Sequence, residues 1–455
     1  MTFVLAHLLS LVGFLLAIAL VARAGEQRRP TGSLLAWLFA ILLVPYIGVP
    51  LYLVFGGRKL TRRMAKKPPR PSVVADAAAG PLASMLCASG AAPPSRGNAL
   101  ELLDTGELAF ERIVELLRAA RATVDISTLI FADDEVGRAL ADLLAEKARA
   151  GVRVRVLVDA LFQFRSSRRL VKQLRDAGVL LAWFMPLLGL PTRRRINLRL
   201  HRKLVVVDGA RAIVGGMNLA REYLGPTPLP GRWRDLSLAI RGPAVRDIEE
   251  IFAGDWRFAA HAAAAEPAAA ELASPQEGGA LLQVVGSGPD VESDRIYDAI
   301  LSAAFAAQRR LWVATPYFVP DEALLRALIL SVRRGVDLRV VVPRRSNHWT
   351  ADLAGGSFLR ELAREGGAIH CYTPEMLHAK LILVDDDLAI LGSANVDIRS
   401  LFLNYEIALV IRSQTEVGRL ERWFLSVLER CAPLEPPGRA RALLEPIARL
   451  LAPIE

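Results

Sequence analysis

Two similar α/β units packed as a pseudo-dimer, preceded by a two-helix transmembrane hairpin, form the architecture that this sequence predicts. Three observations carry the prediction. The chain opens with two long apolar runs; helical patterns then alternate with β-rich runs; and two segments, HRKLVVVDGARAIVGGMN at His201–Asn218 and HAKLILVDDDLAILGSAN at His378–Asn395, repeat each other. A length of 455 residues suits two or three domains, and a hydrophobic share of 53% excludes a mainly disordered chain.

The first apolar run, Phe3 to Ala22, is broken only by His7, Ser10 and Gly13, and is long enough to cross the hydrocarbon layer. A second run extends from Leu34 to Phe55. A cleaved signal peptide is the competing reading of the first run, but no basic segment precedes it and a second span follows at once. Pro45, Gly48 and Pro50 predict a kinked or broken second span.

Net charge is +10, yet ten Lys/Arg against the single acid Glu26 fall within residues 1–70, so the remainder is nearly neutral. That distribution disfavours a basic nucleic-acid binder. Seven of those cations lie between Arg58 and Arg70, which places residues 58–455 in the cytoplasm by the positive-inside rule. The same cluster would attract anionic lipid.

The expected divisions are a hairpin over 1–57, a basic segment and linker over 58–98, and a first α/β domain over 99–260. A linker over 261–279, a second domain over 280–430 and a helical tail over 431–455 complete the chain. Each domain carries a matching helix-to-strand junction, RAGVRVRVLVD at Arg149–Asp159 and RRGVDLRVVVP at Arg333–Pro343, with a glycine ending the helix.

Within each repeated segment His and Lys are two apart, so on a strand both point to one face. Asp208 or Asp385 ends that strand, and a two-residue turn, Gly209-Ala210 or Asp386-Asp387, would return the chain as a second strand. That register sets His201 opposite Asn218 and Lys203 opposite Gly216; in the second copy it sets His378 opposite Asn395 and Lys380 opposite Ser393. Imidazole, ammonium and amide would then gather on one patch suited to phosphate oxygens. One such hairpin could arise by chance, whereas two with identical spacing argue for function.

These residues resemble the phospholipase D superfamily, whose signature is HxKx₄D followed by GSxN. Both copies match HxKx₄D, and Gly392-Ser393-Ala394-Asn395 is intact; Gly215-Gly216-Met217-Asn218 has glycine where serine is usual. TPYFVPDEAL at Thr315–Leu324, VDIRSLFLNYEI at Val396–Ile407, RINLRLHRK at Arg195–Lys203 and the doubled N-terminal span are similar to bacterial cardiolipin synthases. The resemblance implies phosphatidyl transfer through a phosphohistidine, without cofactor or metal. His201 would be the nucleophile and His378 the acid/base, with Lys203, Lys380, Asn218, Asn395 and Ser393 neutralising phosphate. It also implies that Glu406, and Asp235 in the matching place, hold the histidine rings, and that Asp208 and Asp385 complete the motifs by orienting the hairpins. A bacterial inner-membrane location with cytoplasmic domains follows from the same likeness.

Between Leu161 and Lys203 there are eleven Lys/Arg and one acid, Asp176, around the apolar stretch Val179–Pro191. One reading is a core strand and loop with solvated flanks. The other is a membrane-facing rim in which Trp183, Phe184, Met185 and Leu187 enter the interface. Arg195 and Arg199 could bind a second phosphate. The tail Pro436–Glu455 is amphipathic in part, is interrupted by Pro446, and is expected to pack on the domain. His348 and His370 read as loop and core residues, and Cys87, Cys371 and Cys431 lack metal or disulfide spacing.

The expected function is a cardiolipin synthase joining two phosphatidylglycerols and releasing glycerol, with anionic membrane lipid as partner. A hydrolytic phospholipase D, or a transferase using another alcohol, is the nearest alternative. A nuclease is disfavoured by charge, and a decayed scaffold by the completeness of both motifs.

Overall fold

The computed structural model describes residues 80–186, 197–260 and 277–451, together with scattered residues between 37 and 52. The first half contains α1 (Gly80–Ala88), β1 (Ser95–Leu103), α2 (Gly106–Ala119), β2 (Thr123–Thr128), α3 (Glu135–Arg149) and β3 (Arg153–Asp159). A 3₁₀ turn (Ala160–Arg165) leads to α4 (Arg168–Asp176), β4 (Leu180–Phe184), β5 (Leu204–Val207), β6 (Arg211–Gly215), β7 (Ser237–Arg241) and α5 (Ala244–Ala260).

The second half repeats this order with β8 (Ala280–Ser287), α6 (Arg295–Ala306), β9 (Arg310–Ala314), β10 (Phe318–Val319), α7 (Glu322–Arg333) and β11 (Asp337–Pro343). It continues with α8 (Trp349–Arg364), β12 (Ala368–Tyr372), β13 (Leu381–Val384), β14 (Leu388–Gly392), β15 (Val396–Asp397), α9 (Ile398–Phe402), β16 (Glu406–Arg412) and α10 (Gln414–Leu428). The strand β17 (Cys431–Pro433) and the helix α11 (Arg439–Leu451) close the chain.

Strand order shows the duplication directly. From one edge it runs β4-β3-β2-β5-β6-β7-β1, and from the other, inside β17, it runs β12-β11-β9-β13-β14-β16-β8. The strands β2, β3 and β4 are parallel, as are β9, β11 and β12, while each motif strand joins them antiparallel. Strands such as Arg153–Asp159 are buried almost throughout, as expected for parallel strands covered on both faces. Gly151 (φ +89°) and Gly335 (φ +86°) each stand two residues before the equivalent strands, and a Cβ at either would meet nothing within 4 Å. The left-handed backbone, and not crowding, demands glycine there.

Helix starts are read from caps. Thr105, Asp134, Ser167, Asp321 and Ser413 each accept a hydrogen bond from a first-turn amide, the arrangement that satisfies otherwise orphaned donors. Helices α2–α4 cover one outer face and α6–α8 the other. Helices α5 and α10 share the central core between the halves, where Phe252, Trp256, Trp423 and Phe424 meet strands of both.

Two expectations change here, and a third falls outside the described residues. Residues 80–98, read as linker, form α1, whose Leu82, Leu86 and Cys87 are buried, and the start of β1. Pro446 does not end the tail helix, which packs on α8 through Glu445 with Arg360 and Arg449 with Glu361. The first apolar run, Phe3–Ala22, lies outside the described residues, and among those described no helix is long and apolar enough to cross a membrane. In the second run the Trp37 and Tyr52 rings meet edge-on at 5.3 Å. Fifteen residues of straight helix would separate them by about 22 Å, so Trp37 and Tyr52 do not lie on one straight helix, and a Cβ at Gly48 would stand 2.1 Å from the Ala40 carbonyl oxygen.

Candidate active site

The motif strands begin just after the His/Lys pairs, and their far ends are fixed by the motif aspartates. Asp208 adopts φ +53°, and its carboxylate accepts the amides of Arg121, Ala122 and Thr123 at 2.7 to 3.3 Å. Asp385, at φ +47°, takes the amides of Gln308, Arg309 and Arg310 in the same way. Reaching three amides draws each aspartate out of its strand, so the loops contain three residues and not two. Val207 pairs with Arg211, and Val384 with Leu388. The register therefore slips by one from that expected, and the Lys203 backbone carbonyl accepts from the Gly215 amide and that of Lys380 from the Gly392 amide. Asp208 and Asp385 thus orient their hairpins from the end remote from His and Lys.

What assembles the other end is an exchange between halves. Leu200 bridges Tyr405 and Arg234 bridges Leu377, both in parallel. The His201 amide donates to the Tyr405 carbonyl at 2.9 Å, and the His378 amide to that of Arg234 at 2.7 Å. Each histidine is thereby laid beside the acid of the opposite half. His201 Nδ1 lies 2.8 Å from Glu406 Oε1, and His378 Nδ1 lies 2.6 Å from Asp235 Oδ2.

The two pairs are built differently. Glu406 also receives the Ser393 hydroxyl and, at 3.3 Å, the Asn404 amide. Asp235 receives the Leu236 amide at 2.7 Å and stands against Gly216, where a Cβ would come within 2.2 Å of its Oδ1. The glycine that replaces the usual serine makes room for that carboxylate. Lys203 Nζ donates to the His201 carbonyl at 2.7 Å, and Lys380 Nζ lies 2.7 Å from His378 Nδ1 and 3.1 Å from its Nε2.

Burial governs the charges. It pushes His201 down to about 4 against the raising influence of Glu406, and it pushes His378 well below the usual histidine range, with Lys380 and Lys203 adding to the effect. Burial also lowers Lys203 to about 7 and Lys380 to about 8, and raises Asp235 to about 6. Glu406 is held below its ordinary value: burial acts upward, and His201, Lys203 and Ser393 together outweigh it. A neutral His201 donating Nδ1–H to an ionised Glu406 leaves Nε2 as a free base.

The remaining candidates divide. Asn218 Oδ1 accepts from Thr128 Oγ1 at 3.4 Å and the Ile130 amide at 3.3 Å, and Asn395 bonds the half-buried Asp397, so both amides brace the site walls. Arg199 is buried in an ion pair with Asp159 (3.1 Å) and does not face a second phosphate site. Arg195 and Leu187 lie outside the described residues. Phe184 and Met185 are buried in the central core, with the Phe184 ring 4.7 Å from that of Tyr405, which settles them as core residues and not as a membrane rim.

Several neighbours were not anticipated. Tyr223 and Trp233 close around His378, with ring centroids 5.2 and 5.3 Å from the imidazole. Arg202, between His201 and Lys203, bonds Asp255, the Glu406 carbonyl at 2.9 Å and the Ser287 carbonyl at 3.0 Å, tying Glu406 to both halves. Trp233 stands two residues before Asp235, but nothing local distinguishes either it or Tyr223. Among the described residues no group of three His, Cys, Asp or Glu could hold a metal ion.

A family model described as "Cardiolipin synthase, PLD-like domain" matches residues 113–256 and 300–428, spanning both motif hairpins. The chain belongs to this family. A second model, "Phospholipase_D-nuclease N-terminal", matches residues 12–57. Cardiolipin synthase A of Pseudomonas fluorescens is 35% identical over 474 residues, covering 99% of this chain and 98% of that protein. Cardiolipin synthase of a Geobacillus species is 33% identical over 455 residues, covering 94% and 90%. Among solved structures, phosphatidylserine synthase of Haemophilus influenzae superposes with a TM-score of 0.61 at 16% identity, over 78% of this chain and 94% of that one. That likeness concerns the fold.

Proposed function

We propose that the protein is a cardiolipin synthase that transfers a phosphatidyl group from one phosphatidylglycerol to another and releases glycerol. The observation that carries the proposal is the crossed pairing of His201 with Glu406 and His378 with Asp235, which makes one centre from two halves.

His201 Nε2 attacks phosphorus, forming an N–P bond while the bond to the glycerol oxygen breaks. His378 gives that oxygen its proton. An arriving phosphodiester anion raises the basicity of His378, and Asp235 stabilises the imidazolium. A terminal hydroxyl of the second phosphatidylglycerol then yields its proton to His378 and attacks phosphorus, and the N–P bond breaks. Lys203 and Lys380 meet charge on the non-bridging oxygens as it develops. Glu406 holds the attacking ring throughout. The apolar runs Phe3–Ala22 and Leu34–Phe55 would anchor the chain in a bacterial inner membrane with the α/β halves on the cytoplasmic side, a reading that the match over residues 12–57 supports.

The test is incubation of the purified full chain with phosphatidylglycerol alone. Cardiolipin and glycerol in equal amounts are expected by mass spectrometry. Phosphatidic acid as the main product would replace the synthase by a hydrolase.

A further inference from the structure

Among the described residues of the α/β halves, the two most exposed aromatic rings occupy equivalent places. Phe164 is 73% exposed and follows β3, while Trp349 is 75% exposed and follows β11, the matching strand of the second half. A single exposed ring is ordinary on a protein surface; its recurrence at both of two duplicated positions, each beside the site, is what points to an occupant.

Both lie at the site end of the sheet. Asp159, the last residue of β3, accepts the Leu200 amide at 2.7 Å beside His201, and the 3₁₀ turn bearing Phe164 starts at the next residue. On the other side His348, adjacent to Trp349, packs against Tyr317 at 5.4 Å, and β10 beyond it pairs with β15, which follows Asn395 directly. The hairpin tips at Ala210 and Asp386 mark the remote end.

Charge accompanies each ring. Residues 160–172 carry Arg165, Arg168, Arg169 and Lys172, and residues 344–351 carry Arg344 and Arg345. Arg165 pairs with Glu222, Lys172 with Asp176 and Arg344 with Glu435, while Arg168 and Arg169 beside Phe164 and Arg345 beside Trp349 are exposed. Aromatic rings flanked by guanidinium groups match the region between the headgroups and acyl chains of an anionic bilayer.

We infer that Phe164 and Trp349 form a two-sided docking face for an anionic phospholipid surface, straddling the site so that a headgroup in the bilayer plane enters between the halves. The inference rests on the lipid substrate proposed above. It is independent of any attachment made by the N-terminal apolar runs, because what it fixes is orientation.

Full-length F164C and W349C proteins, each in a Cys431→Ala background, carry an environment-sensitive nitrobenzoxadiazole label and are mixed with phosphatidylglycerol/phosphatidylethanolamine vesicles. Emission at both positions should shift to the blue and rise by about twofold or more. Nitroxides placed just below the headgroups should quench it. Labels at A210C and D386C should stay in water. Responses at 164 and 349 no larger than at 210 overturn the docking face, as does shielding already present without vesicles, which would mean a protein partner or a second copy. The labels report without catalysis, so silent labels on a protein that makes cardiolipin refute this face alone. As a second measure, F164D/W349D should lose about tenfold on vesicles and stay within about twofold on detergent-dispersed phosphatidylglycerol; equal loss in both contradicts the inference.

Discussion

Glu406 holds His201 across the boundary between the two halves, with Nδ1 at 2.8 Å from Oε1, and its own backbone carbonyl is held by Arg202, the residue next to that histidine. Ring and acid are therefore clamped as one unit. Glu406→Gln keeps the shape and removes the charge that fixes the Nδ1–H tautomer. We expect kcat to fall by about 100-fold or more with little change in KM. A loss confined to KM would assign Glu406 to lipid binding instead.

Gly216→Ser tests the asymmetry between the pairs. It would complete the family pattern, yet its Cβ must displace the Asp235 carboxylate from a position 2.2 Å away. The expected outcome is a fall in kcat of about tenfold or more, with folding intact by circular dichroism. Unchanged or improved turnover would show that Asp235 does not need that space.

The pH profile of kcat/KM follows from the buried charges. His201, lowered to about 4, is neutral and nucleophilic above that value, so activity rises with pH through this region. Lys203 and Lys380, lowered to about 7 and 8, lose the proton that meets phosphate as pH climbs past them, so activity falls. The groups interact, and the limbs belong to the cluster and not to single residues. Initial rates in detergent micelles from pH 4 to 9.5 check this; a plateau from 6 to 9.5 would contradict it.

Trp233→Ala opens the collar around His378, whose ring lies 5.3 Å from the indole. Water admitted there competes with the lipid alcohol for the intermediate. The share of phosphatidic acid should rise while total consumption of phosphatidylglycerol changes less, as read by lipid mass spectrometry. An unchanged product ratio would give Trp233 a packing role only.

The duplication was legible because parallel buried strands and helix-ending glycines leave strong local patterns, as at Gly151 and Gly335. The histidines and lysines were legible through spacing, whereas Glu406 and Asp235 entered only through what the family resemblance implies. Register was not: a turn of two residues looks natural after Asp208 until its three backbone amide partners, about 85 positions earlier in the chain, are known. Arg199 misled for a similar reason, since nothing near it in sequence reveals Asp159 at 3.1 Å. Tyr223 and Trp233 reach His378 only through the docking of the halves, a long-range event without a local signature.

Trapping the covalent intermediate addresses the shared centre most directly. Full-length His378→Ala protein is mixed with phosphatidylglycerol, quenched in alkali, which preserves phosphohistidine, and digested for peptide mass spectrometry. A phosphatidyl adduct on the peptide containing His201 is expected, formed more slowly than in the intact protein and persisting because its release lacks the general base. In the His201→Ala protein no adduct should form at all. An adduct on His378 in the His201→Ala protein with none on His201 in the His378→Ala protein would exchange the two roles; adducts in both variants, or steady turnover by either at half the original rate, would show two independent centres and contradict a site built by exchange between the halves.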